Sequence, residues 1–319
     1  MKMHPALTIF SLLVITLLLS FILFAYGDVG FTLSDEVVLW QLRFPKIIVA
    51  LLAGGMLASA GLLLQVFFQN PLAGPDLLGI NAGSCLGVAI AIMGANFLPE
   101  SLVNVSQPFM AMLGALSVFF ILAFLVQKNF SRISLLILGL LIASFTASFI
   151  SVLVNFTPSL QVKNFLMWSM GSFQGLTISE LPLFCSLAVL GIILLAFLPK
   201  KLNQFIIGEN YAKTMGVNVS SFKIILILIC SFLVAIVTAY CGPIGFIGII
   251  APHIARSFIK RSDIRLVMPA VFLVGSSLAL FTELVLIFTS PYSLAINSIL
   301  GLIGAPVIAL YLYKERRAL

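Results

Sequence analysis

The sequence predicts an all-α, polytopic membrane protein with about ten transmembrane helices. Three observations predict it. Hydrophobic residues fill 61% of the 319 positions and charged residues only 8%, against about 25% charged in an ordinary soluble domain. The chain has too little charge to cover a water-facing surface, so lipid must solvate most of it. Apolar runs near the roughly 20 residues that one crossing needs recur about ten times. The basic residues gather on alternate connections between those runs, as they do when Lys and Arg mark the cytoplasmic side.

The first span is expected over 6–26. A thin basic start, Met1 to His4, precedes it, but the run is longer than a signal-peptide core and no small-residue cleavage site follows, so it is expected to be retained. A polar stretch with Asp28, Asp35 and Glu36 leads to span 2 over 45–68. That span is rich in Gly, Ala and Ser, which let helix backbones approach closely in lipid. Asn70 and Pro71 open a tight turn that runs to Asp76, and spans 3, 4 and 5 follow over 77–92, 109–126 and 133–156. A wetter segment, 157–180, carries Trp168 and Gly171 and reads as an interfacial helix with a break. Span 6 covers 181–198. After the polar segment described next, span 7 covers 224–240. Gly242, Pro243 and Gly245 break the chain before span 8, which runs to 259. Spans 9 and 10 cover 266–288 and 294–313. Without a repeat, long linker or low-complexity tract, one membrane domain over 1–319 is expected.

The segment 199–223 interrupts the apolar pattern with four lysines and a glutamate. A short helix is expected from Glu209 to Met215, stopped by Gly216, with Asn218, Ser220 or Ser221 capping the next one. Such a knob is either a solvated loop or a handle by which a soluble partner moves the spans. Ten spans with the N-terminus inside place fourteen of the 17 Lys and Arg residues, and the knob, in the cytoplasm, with both termini there too. Arg43, Lys46 and Lys163 fall outside. Arg43 and Lys46 flank Phe44 and Pro45 at the mouth of span 2, where they either snorkel to the interface or present charge to an acidic partner.

The net charge of +7 is therefore a topology signal and implies no nucleic acid. The four cysteines lie in or beside apolar runs without metal-ligand spacing and are expected to be small core residues; His4 and His253 belong to no cluster. No cofactor or metal site is expected. No metalloprotease or serine-hydrolase motif is present, which argues against an intramembrane enzyme. An ion-driven secondary transporter fits the length and span count. The spans hold few of the ionisable residues that a relay needs, Glu283 being the main one. That carboxyl is expected to be protonated, near the interface, or paired with a residue remote in sequence.

Five ordered blocks resemble one family. They are Leu42-Arg43-Phe44-Pro45-Lys46 with the small-residue span through Gln65 and the stretch Asn70 to Gly83; Trp168 to Phe173; Gly208 to Val217; Gly242 to Arg256; and Gly301 to Pro306. Together they are similar to the FecCD-type permeases of bacterial ABC importers for iron–siderophore complexes, haem or cobalamin, over nearly the whole chain. The resemblance implies a cobalamin-permease-like fold and a second permease subunit, either a second copy or a paralogue. It also implies two cytoplasmic ATPase subunits, an extracytoplasmic substrate-binding protein, and a place in the bacterial inner membrane. ATP hydrolysis would belong to the partner, not to this chain. The segment at about 203–221 then corresponds to the coupling helices, with Glu209, Tyr211, Ala212, Lys213, Met215, Gly216 and Val217 meeting the ATPase. Ala212 would allow the partner's close approach. Arg43 and Lys46 would face the binding protein. Ser144, Thr146, Ser148, Ser151 and Asn155 on span 5, with Asn297 and Ser298 on span 10, would line the path. Asn70, Pro71, Gly242, Pro243, Gly245 and Pro306 would make structural turns. Two departures stand out: Glu283 lacks the Arg that usually follows it in the family, and no basic residue lies at the outer mouth before span 10.

Overall fold

In lipid every backbone amide must find its partner within the chain, so apolar runs of this length become helices. The computed structural model describes residues 5–27, 30–31, 35–94, 107–128, 130–289 and 294–316. His4, Asp28, Tyr292, Ser293 and Arg317 lie outside the described residues. The helices, in chain order, are α1 (Pro5–Ala25), α2 (Phe44–Phe68), α3 (Ile80–Met93), α4 (Gln107–Gln127), α5 (Arg132–Asn155), α6 (Ser159–Ser169) and α7 (Leu181–Ala196). They continue with α8 (Pro199–Ile207), α9 (Glu209–Thr214), α10 (Val219–Cys241), α11 (Ile247–Ile259), α12 (Ile264–Phe288) and α13 (Ile296–Arg316). A π-helical stretch, Val38–Arg43, leads into α2, and a two-residue antiparallel pair joins Tyr26–Gly27 to Gly30–Phe31.

Six of the described helices are long and apolar enough to cross a membrane. The pair α7–α8, bent by 50°, supplies a seventh position. Three shorter apolar helices, Ile80–Met93, Ile247–Ile259 and Ile296–Leu310, fill the rest of the ten expected places. The expected spans 3 and 8 need adjusting. With 14 and 13 residues, α3 and α11 are only about 20 Å long, short of the roughly 30 Å hydrocarbon core. Each starts from a break within the bundle: a 3-10 turn, Pro75–Leu78, before α3, and the Gly242–Phe246 loop before α11.

The axis of the bundle is α2. Buried residues fill 83% of its most apolar window, against 11% for α5. Its small residues explain this. A Cβ built on Gly54 would lie 2.4 Å from the carbonyl oxygen of Gly275 on α12, and one on Gly61 would lie 1.8 Å from that of Gly248 on α11. Backbones therefore meet directly at these crossings, where dispersion between close-packed atoms replaces the hydrophobic effect as the driving force. One continuous core runs through α2, α10 and α12, and includes Cys230 and Cys241. A smaller cluster, with Val88, Met93, Ala111, Phe165 and Ala239, joins α3, α4, α6 and the end of α10.

Asn70, Pro71, Gly242, Pro243 and Gly245 lie in the connections between helices. The Asn70 side chain accepts from the Leu72 amide at 2.9 Å, and the Pro71 carbonyl lies 2.8 Å from His253 Nε2. Gly242 has φ +74°, and Phe246 sits at φ +65°, a conformation costly for an aromatic residue, by about 1–3 kcal/mol. Pro306 makes no turn: α13 continues through it, giving up a backbone hydrogen bond.

Candidate functional site

The knob begins where α7 ends. Pro199 opens α8, whose Leu202 and Phe205 are buried while Lys201 and Ile207 are exposed, so this amphipathic helix lies across one end of the bundle. Gly208, at φ +145°, turns the chain into α9. Gly216, at φ +83°, ends it, and the Gly216 and Val217 amides donate to the carbonyls of Lys213 and Ala212. Of the three candidate caps, Asn218 makes the bond: its Oδ1 accepts from the Ser221 amide at 3.1 Å.

The seven coupling residues divide between two faces. Tyr211, Lys213, Met215 and Gly216 are exposed and form the projecting surface, and Val217 is half-buried. Ala212 is fully buried in the chain's own core. The expectation that it admits a partner is thus corrected, because the close approach it allows is to its own fold. Glu209 also turns inward. Its carboxylate binds the Arg132 guanidinium at the start of α5 and, at 2.8 Å, the Lys223 ammonium on α10. Partial burial pushes this carboxyl up, but the hydrogen bonds and charges of Lys223 and Arg132 outweigh it and hold the pKa below the usual range. The clamp ties the knob to α5 and α10 at once.

The α5 residues sort by helical period. Ser144, Ser148, Ser151 and Asn155 share one exposed face; the Ser148 hydroxyl donates to the Ser144 carbonyl and the Asn155 amide to that of Ser151. Thr146 is only 3% exposed and points away from that face, so it is no path residue. On α13, Ser298 is exposed, but Asn297 is committed elsewhere. Its Oδ1 accepts from the Gly245 amide at 3.0 Å and its Nδ2 donates to the Pro243 carbonyl at 2.8 Å. Asn297 therefore clamps the broken α10–α11 connection.

At the opposite end, Arg43 and Lys46 are both turned into the fold. Arg43 Nη1 donates to the carbonyls of Phe24 and Ala25 at 2.9 and 3.0 Å, satisfying the C-terminal end of α1. Lys46 Nζ lies 2.9 Å from Glu283 Oε2, and their side chains are 11% and 1% exposed. The docking reading is corrected accordingly: these cations hold helices together. Of the alternatives for Glu283, the structure takes the remote pairing.

A chain that combines breaks inside a helical bundle with a clamped knob at one end can be compared with known proteins. The model of the FecCD transport family matches residues 5–314. The chain belongs to the FecCD transport family. It is therefore a multi-pass membrane permease of the ABC importer class. The vitamin B12 import system permease BtuC of Klebsiella pneumoniae is 31% identical over 286 residues, covering 89% of this chain and 84% of the relative. The Escherichia coli O9:H4 protein of the same name is 30% identical over 294 residues, covering 91% and 88%. A solved inward-facing metal-chelate type ABC transporter superposes with a TM-score of 0.85 at 26% identity, covering 98% of this chain and all of that one. PsaBC of Streptococcus pneumoniae, at 14% identity and a TM-score of 0.58, shares the fold alone.

Sequence reasoning about the permease missed the Arg132–Glu209–Lys223 clamp, since no local signal pairs residues so far apart. Glu209→Gln keeps the shape and removes the charge. Its side chain is 29% exposed, so solvent screening limits the loss to about 1 kcal/mol. Hydrogen exchange of amides 209–217 is expected to quicken a few-fold at neutral pH. In the unaltered protein the clamp holds above the usual carboxylate range and is lost as pH falls through the depressed Glu209 value, because protonation removes the attraction. Unchanged exchange in the variant would show that other packing holds the knob.

Proposed function

We propose that the chain is the membrane-spanning subunit of an ATP-driven importer carrying a metal chelate into the cytoplasm, with an iron–siderophore complex as first choice among siderophores, haem and cobalamin. The observation that carries this reading is the exposed surface of Tyr211, Lys213, Met215 and Gly216, projecting from a knob that Glu209 fastens to α5 and α10. A soluble ATPase gripping that surface moves both helices together. The open face of α5 supplies the path: hydroxyls and one amide without a charged group suit weak contact with a bulky chelate. A second copy or a paralogue covers that face, since so little of α5 is buried within one chain. The knob and most Lys and Arg residues lie in the cytoplasm, two ATPase subunits bind there, and a substrate-binding protein delivers cargo to the other end. Ligand release follows a switch between two packings of the helices, biased by the ATPase state.

The relatives named for vitamin B12 and for a metal chelate support a chelated-metal cargo. An ion-driven mechanism loses its best relay group, because Glu283 is engaged by Lys46. Met215→Glu tests the reading. It adds charge to an exposed position and so leaves folding intact. ATP-driven chelate uptake by the reconstituted transporter is expected to fall at least tenfold, with the permease still monodisperse. Normal uptake would remove the coupling role from this surface; uptake that persists without ATP but collapses with a protonophore would favour the ion-driven class.

A further inference from the structure

Where α7 gives way to α8 the chain bends by 50°, so that α8 packs against the start of α12, and an open groove of about 770 Å³ lies beside the junction. Ile192 and Phe197 form one wall, Phe272 and Leu273 the other. Phe197 is 77% exposed, so this apolar surface has no cover within the chain. Lys200 and Arg265 stand at the rim on the basic end, both exposed. Neither side chain makes an ion pair with a described residue. The acidic group beside them is engaged: Asp263 Oδ1 accepts from the Arg265 amide at 3.0 Å and from Asn203 Nδ2 at 2.7 Å. Asn203 Oδ1 in turn accepts from the Ile264 amide at 2.8 Å. That reciprocal pair fixes α8 against the start of α12, the two helices that carry Lys200 and Arg265 to the rim of the groove.

We propose that this groove is a binding site for an anionic glycerophospholipid, with the phosphate group on Lys200 and Arg265 and an acyl chain along Ile192, Phe197, Phe272 and Leu273. The size and the split of character suit that ligand: an apolar groove of about 770 Å³ with two cations at its rim. The groove opens on a helix bundle that lipid surrounds, and basic sites between helices on the cytoplasmic side take anionic headgroups. A zwitterionic lipid fills the same wall but leaves the cations half-answered. The cytoplasmic leaflet assignment rests on the orientation proposed above; the lipid's identity and position do not.

Native mass spectrometry of the delipidated full-length chain tests this with equal amounts of phosphatidylglycerol and phosphatidylcholine of matched acyl length. The expected result is one retained phosphatidylglycerol, preferred by about tenfold or more. Lys200→Gln with Arg265→Gln should erase the preference, at about fivefold per cation lost, while Lys128→Gln, also exposed and basic, leaves it unchanged. Equal retention of the two lipids overturns the proposal, and so does a preference that survives the double substitution. Displacement of the lipid by millimolar inorganic phosphate would mark a free-phosphate site instead and also overturn it. A photoreactive phosphatidylglycerol gives a readout needing no variant: labels are expected on 192–200 and 265–273, and labels elsewhere alone refute the site. These are binding measurements on the isolated chain, so they hold or fail independently of ATP-driven uptake.

Discussion

Lys46→Met is expected to destabilise the permease by about 3 kcal/mol, and pairing it with Glu283→Leu is expected to restore most of that loss. Glu283 is 1% exposed, on α12, and Lys46 reaches it from α2, the axis of the bundle. The single substitution takes the ammonium from 2.9 Å away and leaves the carboxylate in its place. Breaking a buried ion pair at one partner costs about 3–5 kcal/mol, because the remaining buried charge loses that partner's compensation. A cavity of about 220 Å³, lined by both residues and by Arg43 and Gln174, adjoins the pair. Water entering there hydrates the carboxylate in part, and Glu283 keeps its interactions other than that with Lys46, which sets the expectation at the lower end of that range. Removing both charges removes the need for compensation, and two apolar side chains of similar size pack at little cost. Thermal unfolding in detergent measures both variants. Equal losses in the single and double substitutions would mean that lost packing, not the stranded charge, is responsible. A harmless single substitution would mean that the pair carries no stability at all.

That pair also marks the limit of what the sequence could show. Hydropathy, proline and glycine are local signals, so the spans, the break at Gly242 and the helix stop at Gly216 were legible within a few residues. Helical period was legible too: Ser144, Ser148, Ser151 and Asn155 recur at steps of four, three and four, and Thr146 falls on the other side, a distinction that span membership alone does not make. Partners remote along the chain left no such trace. Nothing near Lys46 names Glu283, and nothing near Glu209 names Arg132, so basic residues at the outer mouth read as a docking pair and an inward clamp read as partner contact. Ala212 was misread for a related reason. A small residue signals close approach, but it does not say whether the approaching surface is another protein or the chain's own core. The same ambiguity hid the role of Asn297, an amide as suited to a path as to the loop whose Gly245 amide and Pro243 carbonyl it actually binds.

Gly61→Ala is expected to be the most damaging single methyl group in the bundle. The added Cβ would sit 1.8 Å from the Gly248 carbonyl oxygen and 2.4 Å from its carbon. Both are backbone atoms, so no side-chain rotation relieves the overlap, and α2 and α11 must move apart. Overpacking in a well-ordered core costs about 1–3 kcal/mol when side chains can shift; here the loss should exceed 3 kcal/mol or abolish membrane accumulation. The separation cannot stay local. Gly248 is itself close to Pro75, with 2.7 Å between the Pro75 Cδ and a Cβ placed there, so a displaced α11 pushes on the 3-10 turn before α3. It also pulls on the strained loop at Phe246 and on the hydrogen bond between His253 and the Pro71 carbonyl. Gly301→Ala is the matching control, since its new methyl would meet the Phe246 ring at 3.5 Å, an ordinary contact. Folded yield and thermal unfolding should separate the two variants widely, with Gly301→Ala close to the unaltered protein. If they lose equally, or if Gly61→Ala is tolerated, then α2 and α11 do not cross backbone to backbone, and the tight axis assigned to this fold is wrong.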